Sequence, residues 1–313
     1  MVKNEFFIAI DIGGTNIKSA IFDKKINLIF KENISTSLFI NSDKILKEIN
    51  LIISNYIEKA LKINGFIKGI GIVLPGHPDI EGRVSFIQNV KQLNNIPIKK
   101  YLMNRKEIPI IFENDGNASA YAEYILSNKK LKNIIVLTLG TGLGSGVIVD
   151  GKILYGKKGI SGELGHITLD SKGPRCICGK RGCFEAYFSS YGICELAKNL
   201  ITDKYSVLRK YSLNKINPEI IANEAKNGDK LSKYIYKYTG KYLGLGISIL
   251  INIFNPEKVI LAGKISKDID LFRETMVEEV KKNIFLEYID NINIEVSKYP
   301  DDLGLFGAVS LFY

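Results

Sequence analysis

Cysteine is scarce in this sequence, with four in 313 residues. Four are too few for a disulfide scaffold of this length, so we expect reduced thiols and a cytoplasmic protein. Long hydrophobic runs are missing as well. The most apolar stretch, 242–254, contains Ser248 and Asn252, and it falls short of the ~18 residues that a membrane span requires. It predicts a buried helix. The apolar run near the N-terminus, 6–10, is too short for a signal peptide.

No block of a single charge sign stands out, although Lys and Arg total 43 against 33 Asp and Glu, a net charge of +10. The basic residues are scattered along the chain, which favours a solvated surface over a nucleic-acid-binding face. We therefore expect neither a nucleic-acid nor a membrane partner. Hydrophobic residues make up 46% and charged residues 24%, which excludes a disordered chain. The length predicts about two domains.

Apolar periodicity and turn residues predict strands that alternate with helices, so the expected class is α/β. The first three predicted strands (6–10, 17–22 and 27–30) read as a β-meander. Further strands are predicted at 67–74, 108–112, 133–139, 147–149, 258–261 and 292–296, and helices at 45–57, 118–126, 230–254, 268–282 and 303–312. A glycine-rich hairpin turn opens each half of the chain, which suggests two related halves.

Two glycine-rich segments lie between predicted strands: 11–18 (DIGGTNIK) and 140–146 (GTGLGSG). The dinucleotide-binding fingerprint needs its glycines between a strand and a helix, so it is rejected here. Glycines let backbone N–H groups surround phosphate oxygens without a Cβ clash, and we favour phosphate binding over plain hairpin turns. At the end of the first strand, Asp11 is placed to hold Mg²⁺ through water.

Three cysteines fall within 176–183 (CICGKRGC), and His166 lies shortly before them. Three thiolates and one imidazole complete a tetrahedral zinc site with no open position, which is the structural type. The sequence therefore predicts zinc bound by His166, Cys176, Cys178 and Cys183. The remaining cysteine, Cys194, is expected to be a buried free thiol.

Carboxylates mark the catalytic candidates. Asp115 follows a strand and opens a helix, so it is either an N-cap or a general base that accepts a proton from a substrate hydroxyl, and one residue can fill both roles. Glu163 and Glu185 flank the predicted zinc ligands. A zinc-clamped loop would aim both carboxylates at one point, where they could accept hydrogen bonds from sugar hydroxyls.

Together these motifs resemble the ROK family, the sugar kinases and sugar-responsive repressors of the hexokinase–actin superfamily. Six segments carry the resemblance, which runs over essentially the whole chain: 11–15, 113–115 (END), 140–146, the zinc segment 162–185, 260–263 (ILAG) and 301–308. The resemblance implies a two-domain α/β actin/hexokinase-like ATPase fold with a nucleotide and sugar cleft between the domains. The implied N-terminal domain is 1–115, closed by helix 303–313, and the C-terminal domain is 116–302, with the zinc-binding loop.

The resemblance also implies roles. Asp115 would deprotonate the 6-hydroxyl of a hexose that is phosphorylated by ATP–Mg²⁺, and glucokinase is the first candidate. The implied sugar contacts are Asn89, Asn114, Asp115, Glu163, His166 and Glu185. The implied nucleotide-site residues are Asp11, Gly13, Gly14, Thr15, Lys18, Thr141, Gly142, Gly144, Ser145, Gly146 and Gly263. A homodimer or homotetramer is implied as well.

The sequence departs from the family pattern around Asn89, where it reads Ile87, Gln88, Asn89 and Val90, with Leu93 at the usual tryptophan position. This leaves the hexose open, and an N-acetylmannosamine or N-acetylglucosamine kinase is the alternative. A non-catalytic sugar-responsive repressor is a further hypothesis. Family repressors carry a helix-turn-helix before the first hairpin, and we expect no room for it ahead of Asp11. A zinc module for nucleic acid would leave both hairpins and Asp115 unexplained.

Overall fold

The computed structural model describes residues 4–39, 41–87, 89–102, 107–202 and 205–313. These residues form two five-stranded mixed sheets with helices packed against them, so the predicted α/β class is confirmed. The chain folds into two compact units. Unit 1 comprises 1–130, Tyr155–Ser161 and Asp302–Tyr313, and unit 2 comprises Leu131–Leu154 and Gly162–Asp301. The chain therefore enters unit 1 three times.

Unit 1 contains the first sheet, whose strand order is β3-β2-β1-β4-β5. Its strands are β1 (Asn4–Ile12), β2 (Asn16–Asp23), β3 (Leu28–Ser35), β4 (Gly65–Leu74) and β5 (Ile110–Asn114). Strands β1 to β3 form the predicted antiparallel meander, and β4 and β5 add to the other side of β1 in parallel. The buried positions of β1 and β4 are mostly apolar, as expected of strands covered on both faces.

The described part of unit 1 contains the helices α1 (Ser42–Lys62), α2 (Ile98–Tyr101), α3 (Asp115–Leu126) and α9 (Leu303–Ser310). An apolar stripe at helical spacing buries α1 in the core of this unit. Helix α9 lies close to β4, where a Cβ on Gly71 would come within 2.0 Å of the Ala308 carbonyl oxygen. The same helix meets α3, since a Cβ on Gly307 would lie 2.6 Å from backbone atoms of Ala118. Only glycine permits these approaches.

Unit 2 contains the second sheet, with order β10-β9-β6-β7-β8. Its strands are β6 (Ile134–Leu139), β7 (Leu143–Val149), β8 (Lys152–Ile153), β9 (Lys258–Ala262) and β10 (Ile294–Val296). Strands β6, β7 and β8 pair antiparallel, and β9 and β10 continue in parallel from β6. This pairing scheme repeats that of the first sheet strand for strand, in agreement with the two related halves suggested by the hairpin turns.

The helices of unit 2 are α4 (Phe184–Tyr187), α5 (Ser190–Ile201), α6 (Pro218–Lys226), α7 (Lys230–Phe254) and α8 (Arg273–Asn283). The predicted helix 230–254 is confirmed and packs into the core of this unit. The predicted helix 268–282 is partly wrong. Residues Lys264–Leu271 form a 3₁₀ segment, and a break at Phe272 separates it from α8. Among the described residues, every helix is too short or too polar to cross a membrane.

The compact units divide the chain at 130/131, whereas the predicted domain boundary falls at 115/116. The difference arises because α3 packs on α9 and β5 within unit 1. Helix α9 lies in unit 1, in the position expected of a closing C-terminal helix. The ranges 1–115 and 116–302 stay a prediction as independent domains.

Candidate functional site

Three parallel strands of unit 1 end at one edge of the sheet and bring acidic residues into register. Asp11 on β1 lies opposite Val73 on β4, and Val73 lies opposite Glu113 on β5. Asp115 follows directly after β5. Ligand sites of α/β sheets lie outside the carboxyl ends of such strands. The topology thus places Asp11 and Asp115, which are distant in sequence, at the same edge.

Asp115 is the first residue of α3, so of the two alternatives left open for this residue the N-cap is wrong. The cap is Asn114, whose side chain accepts a hydrogen bond from the Asn117 N–H at 2.9 Å. The Asp115 Oδ1 atom accepts hydrogen bonds from the Gly116 N–H at 2.9 Å and the Asn114 Nδ2 at 3.2 Å. Asn114 is the N-cap, so the half-buried Asp115 carboxylate is not required for capping. It can therefore serve as a proton acceptor.

Negative charge converges around Asp11. Burial raises the pKa of Asp11 to about 6, Lys18 opposes this shift, and the carboxylates of Asp115 and Asp302 add to it. The N-terminus of α9 also approaches, since a Cβ on Gly304 would lie 2.6 Å from Asp11 Oδ2. Clustered carboxylates repel one another, and a divalent cation would relieve that repulsion. The arrangement is chemically suited to Mg²⁺.

The turn of the first hairpin is built from Gly13, Gly14 and Thr15. The Gly13 N–H donates to the Asn16 carbonyl at 2.8 Å, and the Thr36 hydroxyl donates to the Gly13 carbonyl at 2.8 Å. Lys18 faces Asp11 across the hairpin register. A Cβ on Gly14 would lie 2.5 Å from Asn89 Cβ, so the turn and this predicted sugar contact are in close proximity. Glycine is needed here for space.

Around Asn89, where the sequence departs from the family pattern, several of the departing residues are buried. Leu93, at the usual tryptophan position, is 1% exposed and packs in the core of unit 1 with Ile87 and Val90. Asn89 itself is exposed. Gln88 lies outside the described residues. Leu93 therefore belongs to the hydrophobic core, and its side chain does not line a surface that a sugar could contact.

The second hairpin turn is shorter than the sequence suggested. Strand β6 ends at Leu139 and pairs with Leu143, which leaves Gly140, Thr141 and Gly142 as the turn. Gly144 and Gly146 lie within β7, and a Cβ on Gly144 would come within 2.5 Å of Thr138 Oγ1. Gly144 thus permits close packing of the hairpin, whereas the turn itself offers backbone N–H groups for an anion.

Ser145 is engaged inside unit 2. Its hydroxyl donates to the Gly162 carbonyl and accepts from the Leu164 N–H at 3.1 Å. These bonds fix both neighbours of Glu163, so Ser145 anchors the segment that carries this predicted sugar contact. Ser145 was predicted to bind nucleotide phosphate. In the structure its hydroxyl instead bonds to the backbone on both sides of Glu163.

Gly263 follows β9 and lies beside the end of β6. Its φ of +86° is in the left-handed region, and a Cβ there would lie 2.4 Å from the Leu139 carbonyl oxygen. Its N–H donates to Pro300 O at 2.7 Å. The predicted adenosine-side residue is therefore placed next to the 140–142 turn, and glycine is required by both conformation and space.

The predicted zinc ligands converge. One ligand atom from each of His166, Cys176, Cys178 and Cys183 lies within 4.8 Å of the others. Cys178 and Cys183 Sγ are 3.6 Å apart, and Cys176 Sγ is 3.8 Å from His166 Nδ1. A Zn–S bond of about 2.3 Å in tetrahedral geometry gives sulfur–sulfur separations of about 3.8 Å, so the donor set fits zinc. All four cysteines are free thiols.

The turn that carries these thiols has little regular structure. Gly179 and Gly182 have φ values of +91° and +69°, and a Cβ on Gly182 would clash with the Asp170 carbonyl oxygen. Burial raises the pKa of Cys183 to about 12, and the neighbouring thiols Cys178 and Cys176 add to the shift. Protons held by crowded thiols are displaced when a divalent cation binds, so a metal would stabilise this turn.

Glu185 connects the cysteine cluster to the second hairpin turn. Its Oε2 accepts the Leu143 N–H at 2.9 Å and lies 2.3 Å from where a Cβ on Gly142 would stand. Its Oε1 is 3.4 Å from the Tyr191 hydroxyl, which also lies 3.5 Å from Cys176 Sγ. Glu163 is exposed, with Oε2 4.0 Å from His166 Nε2. His166 thus offers Nδ1 to the thiols and Nε2 toward Glu163.

Sequence reasoning missed three side chains that hydrogen-bond within the candidate site: Tyr155, Tyr191 and Glu113. Glu113 belongs to the 113–115 segment, but its role as a buried hydrogen-bond acceptor was not predicted. Tyr155 donates its hydroxyl to Glu113 Oε2 at 2.6 Å. The two residues are far apart in sequence, and neither belongs to a spacing motif that would have linked them. Tyr191 stands near Cys183 in sequence and could have been noticed as a neighbour of the zinc segment.

Comparisons with known proteins identify the class to which this fold and site belong. A family model described as "ROK family" matches residues 7–313. The chain belongs to the ROK family.

The curated relatives that this chain resembles include a repressor and a glucokinase. The xylose repressor of Caldicellulosiruptor bescii is 31% identical over 97% of this chain and 77% of the repressor. The glucokinase of Halalkalibacterium halodurans is 28% identical over 98% of this chain and 94% of the glucokinase. Among solved structures, a ROK family glucokinase from Streptomyces griseus, in complex with glucose and AMPPNP, matches with a TM-score of 0.82, 26% identity and 98% coverage of both chains. The predicted actin/hexokinase-like fold is confirmed by such kinases.

Proposed function

We propose that this protein transfers the γ-phosphoryl group of ATP to the 6-hydroxyl of a hexose, with glucose as the first candidate. The observation that carries the proposal is the Asp115 carboxylate, which begins α3 without capping it and lies at the same sheet edge as Asp11. Similarity to glucokinases supports it, including the S. griseus enzyme whose structure contains glucose and AMPPNP. In this role Asp115 accepts the hydroxyl proton as the oxygen attacks phosphorus.

The nucleotide is held by the two hairpin turns in this proposal. The backbone of Gly13, Gly14 and Thr15 and that of Thr141 and Gly142 bind phosphate oxygens. Asp11 holds Mg²⁺ through water, and Lys18 balances the charge near the phosphates. Gly263 accommodates the adenosine side because it has no side chain. The ion, when bound, neutralises charge that develops on the transferred phosphoryl group.

The sugar hydroxyls are bound by Asn89, Asn114, Glu163, His166 and Glu185. Zinc held by His166 and the three cysteines is structural in this proposal: its four protein ligands leave no open position for chemistry. His166 would hold the metal through Nδ1, the atom nearest the thiols, and Nε2, on the Glu163 side of the ring, would be available to a sugar hydroxyl. The homodimer or homotetramer and the cytoplasmic location stay predictions.

A sugar-responsive regulator is the second candidate, favoured by the 31% identity to the xylose repressor. Such a protein needs the sugar-binding residues and the zinc turn but has no use for a proton acceptor or a cation-binding pair of carboxylates. The presence of both Asp11 and Asp115 at one edge favours the kinase. The N-acetylhexosamine kinase remains the alternative within the enzyme class.

The test is a coupled ADP-release assay with Mg-ATP and a panel of glucose, mannose, N-acetylglucosamine, N-acetylmannosamine and xylose, compared by kcat/KM. We expect the highest value for glucose. Preference for an N-acetyl sugar would reassign the substrate while keeping the reaction. Calorimetric binding of xylose or glucose without turnover of any sugar would reject the kinase and support the regulator.

A further inference from the structure

Residues Tyr155–Ser161 form a crossing segment: they belong to unit 1, whereas the residues on both sides of them belong to unit 2. The segment closes on itself, because the Ser161 N–H donates to the Tyr155 carbonyl at 3.1 Å. Gly156 and Gly159 adopt φ values of +66° and +73°, which the tight path requires. The crossing segment is therefore an ordered loop whose first residue is Tyr155.

The Tyr155 hydroxyl reaches a buried carboxylate next to the proposed base. Glu113 is 8% exposed, and its Oε2 accepts from the Tyr155 hydroxyl at 2.6 Å. Its Oε1 accepts from the Asn114 N–H at 2.8 Å and from Asn117 Nδ2 at 3.2 Å. Glu113 thus joins the crossing segment, through one oxygen, to the first turn of α3, through the other. Asp115 stands in that turn.

This hydrogen bond is of the strong, charge-assisted kind. A hydroxyl-to-carboxylate distance of about 2.5–2.7 Å is typical of such bonds. Burial raises the pKa of Tyr155, and the hydrogen bond to Glu113 raises it further, so the phenol keeps its proton and remains a donor. A buried carboxylate that loses a donor is destabilised, and it would turn toward other partners. Loss of the hydroxyl would then disturb Asn114 and Asn117 as well.

We propose that Tyr155 is a positioning residue for phosphoryl transfer: its hydroxyl orients Glu113, which in turn fixes the start of α3 and the Asp115 carboxylate. The inference rests on the proposed kinase function and adds a residue to it. The same bond holds the crossing segment, which continues along the chain into Gly162 and the proposed sugar contact Glu163. Tyr155 contacts neither the sugar nor the nucleotide in this role.

The test is Tyr155→Phe, which removes the hydroxyl and keeps the ring. A misplacement of the base by a fraction of an ångström is expected to lower kcat about tenfold to a hundredfold. The KM for ATP should stay unchanged. General destabilisation of the protein would not lower kcat while leaving this KM unchanged. Tyr205→Phe is the matched control, since Tyr205 is 91% exposed. A kcat within about twofold of the wild type in Tyr155→Phe would overturn the proposal.

A double-mutant cycle with Glu113→Gln tests the route through Glu113. If Tyr155 acts through this carboxylate, Tyr155→Phe should cause little further loss of kcat in the Glu113→Gln background. Full additivity of the two losses would overturn the proposed route.

Hydrogen exchange provides a readout that does not depend on turnover. Tyr155→Phe should speed amide exchange in 110–117 and 155–161, whereas Tyr205→Phe should not. Unchanged exchange in both segments would overturn the proposal even if the wild type were an active kinase. A wild-type protein that phosphorylates no sugar would reject the proposed function, and the exchange result would still decide whether the hydroxyl orders this region.

Discussion

The proposed catalytic strand end of unit 1 and the cysteine turn of unit 2 are ordered in different ways. Asp115 stands where a parallel strand passes into a helix, and hydrogen bonds from Asn114 and Gly116 hold its carboxylate. The cysteine turn has two left-handed glycines, isolated bridges and thiols that crowd one another. The first arrangement is complete with protein atoms alone, whereas the second is suited to a metal cross-link. Substitutions can therefore disrupt the chemistry and the placement of the substrate separately.

The largest effect should come from Asp115→Asn, which keeps the hydrogen bonds of the first turn but cannot accept the proton. We expect kcat to fall about 10²–10⁴-fold, since this is the usual contribution of a general base. Sugar affinity, measured by calorimetry, and zinc content should remain at wild-type levels because the cysteine turn is untouched. A kcat near the wild-type value would remove Asp115 from the catalytic role.

The metal cross-link should have the next largest effect. Cys178→Ser removes one thiolate, so we expect zinc to be lost in elemental analysis and the sugar KM to rise about tenfold to a hundredfold. The KM for ATP should change less. Cys194→Ser is the matched control, since Cys194 lies outside the ligand cluster. Equal zinc content in Cys178→Ser and Cys194→Ser, or none in the wild type, would contradict the site.

Ser145→Ala should have a smaller effect, and its kinetics distinguish two roles for this serine: an anchor of the segment around Glu163 and a phosphate ligand. As an anchor of the segment around Glu163, its loss in Ser145→Ala should raise the sugar KM about tenfold, the usual range for a lost buried hydrogen bond. The KM for ATP should stay constant. If the ATP KM rises and the sugar KM does not, Ser145 is a phosphate ligand, as the sequence motif first suggested. Thr141→Ser, which keeps a hydroxyl in the turn, serves as the comparison variant.

Motifs that are local in sequence were predicted well. Both hairpins, α7 and the convergence of His166 with the three cysteines follow from short spacings and turn chemistry, and the structure confirms these placements. The N-cap alternative for Asp115 was wrong because Asn114 and Asp115 are both good caps, and the register of the strand end decides between them. The departure at Leu93 was taken to leave the hexose open because of its place in the family pattern, whereas the structure buries this side chain in the core of unit 1.

Contacts between distant segments could not be predicted. The Tyr155 hydroxyl meets Glu113 only because the chain returns to unit 1 for the crossing segment. Glu185 reaches the Leu143 N–H because the cysteine turn brings it back to the second hairpin. Such pairings depend on the packing of whole units, and a single sequence carries no local signal for them.

Helix α9 has a consequence for the order in which the chain is made. It packs on β1, β4 and α3, and Phe306 contacts Phe22 with ring centroids 5.1 Å apart. A ribosome releases this helix after every strand and helix of unit 2. During synthesis, the face of the first sheet that α9 covers therefore stays uncovered until the last residues of unit 2 have been made. Unit 1, whose first segment is translated before unit 2, can be completed only after it.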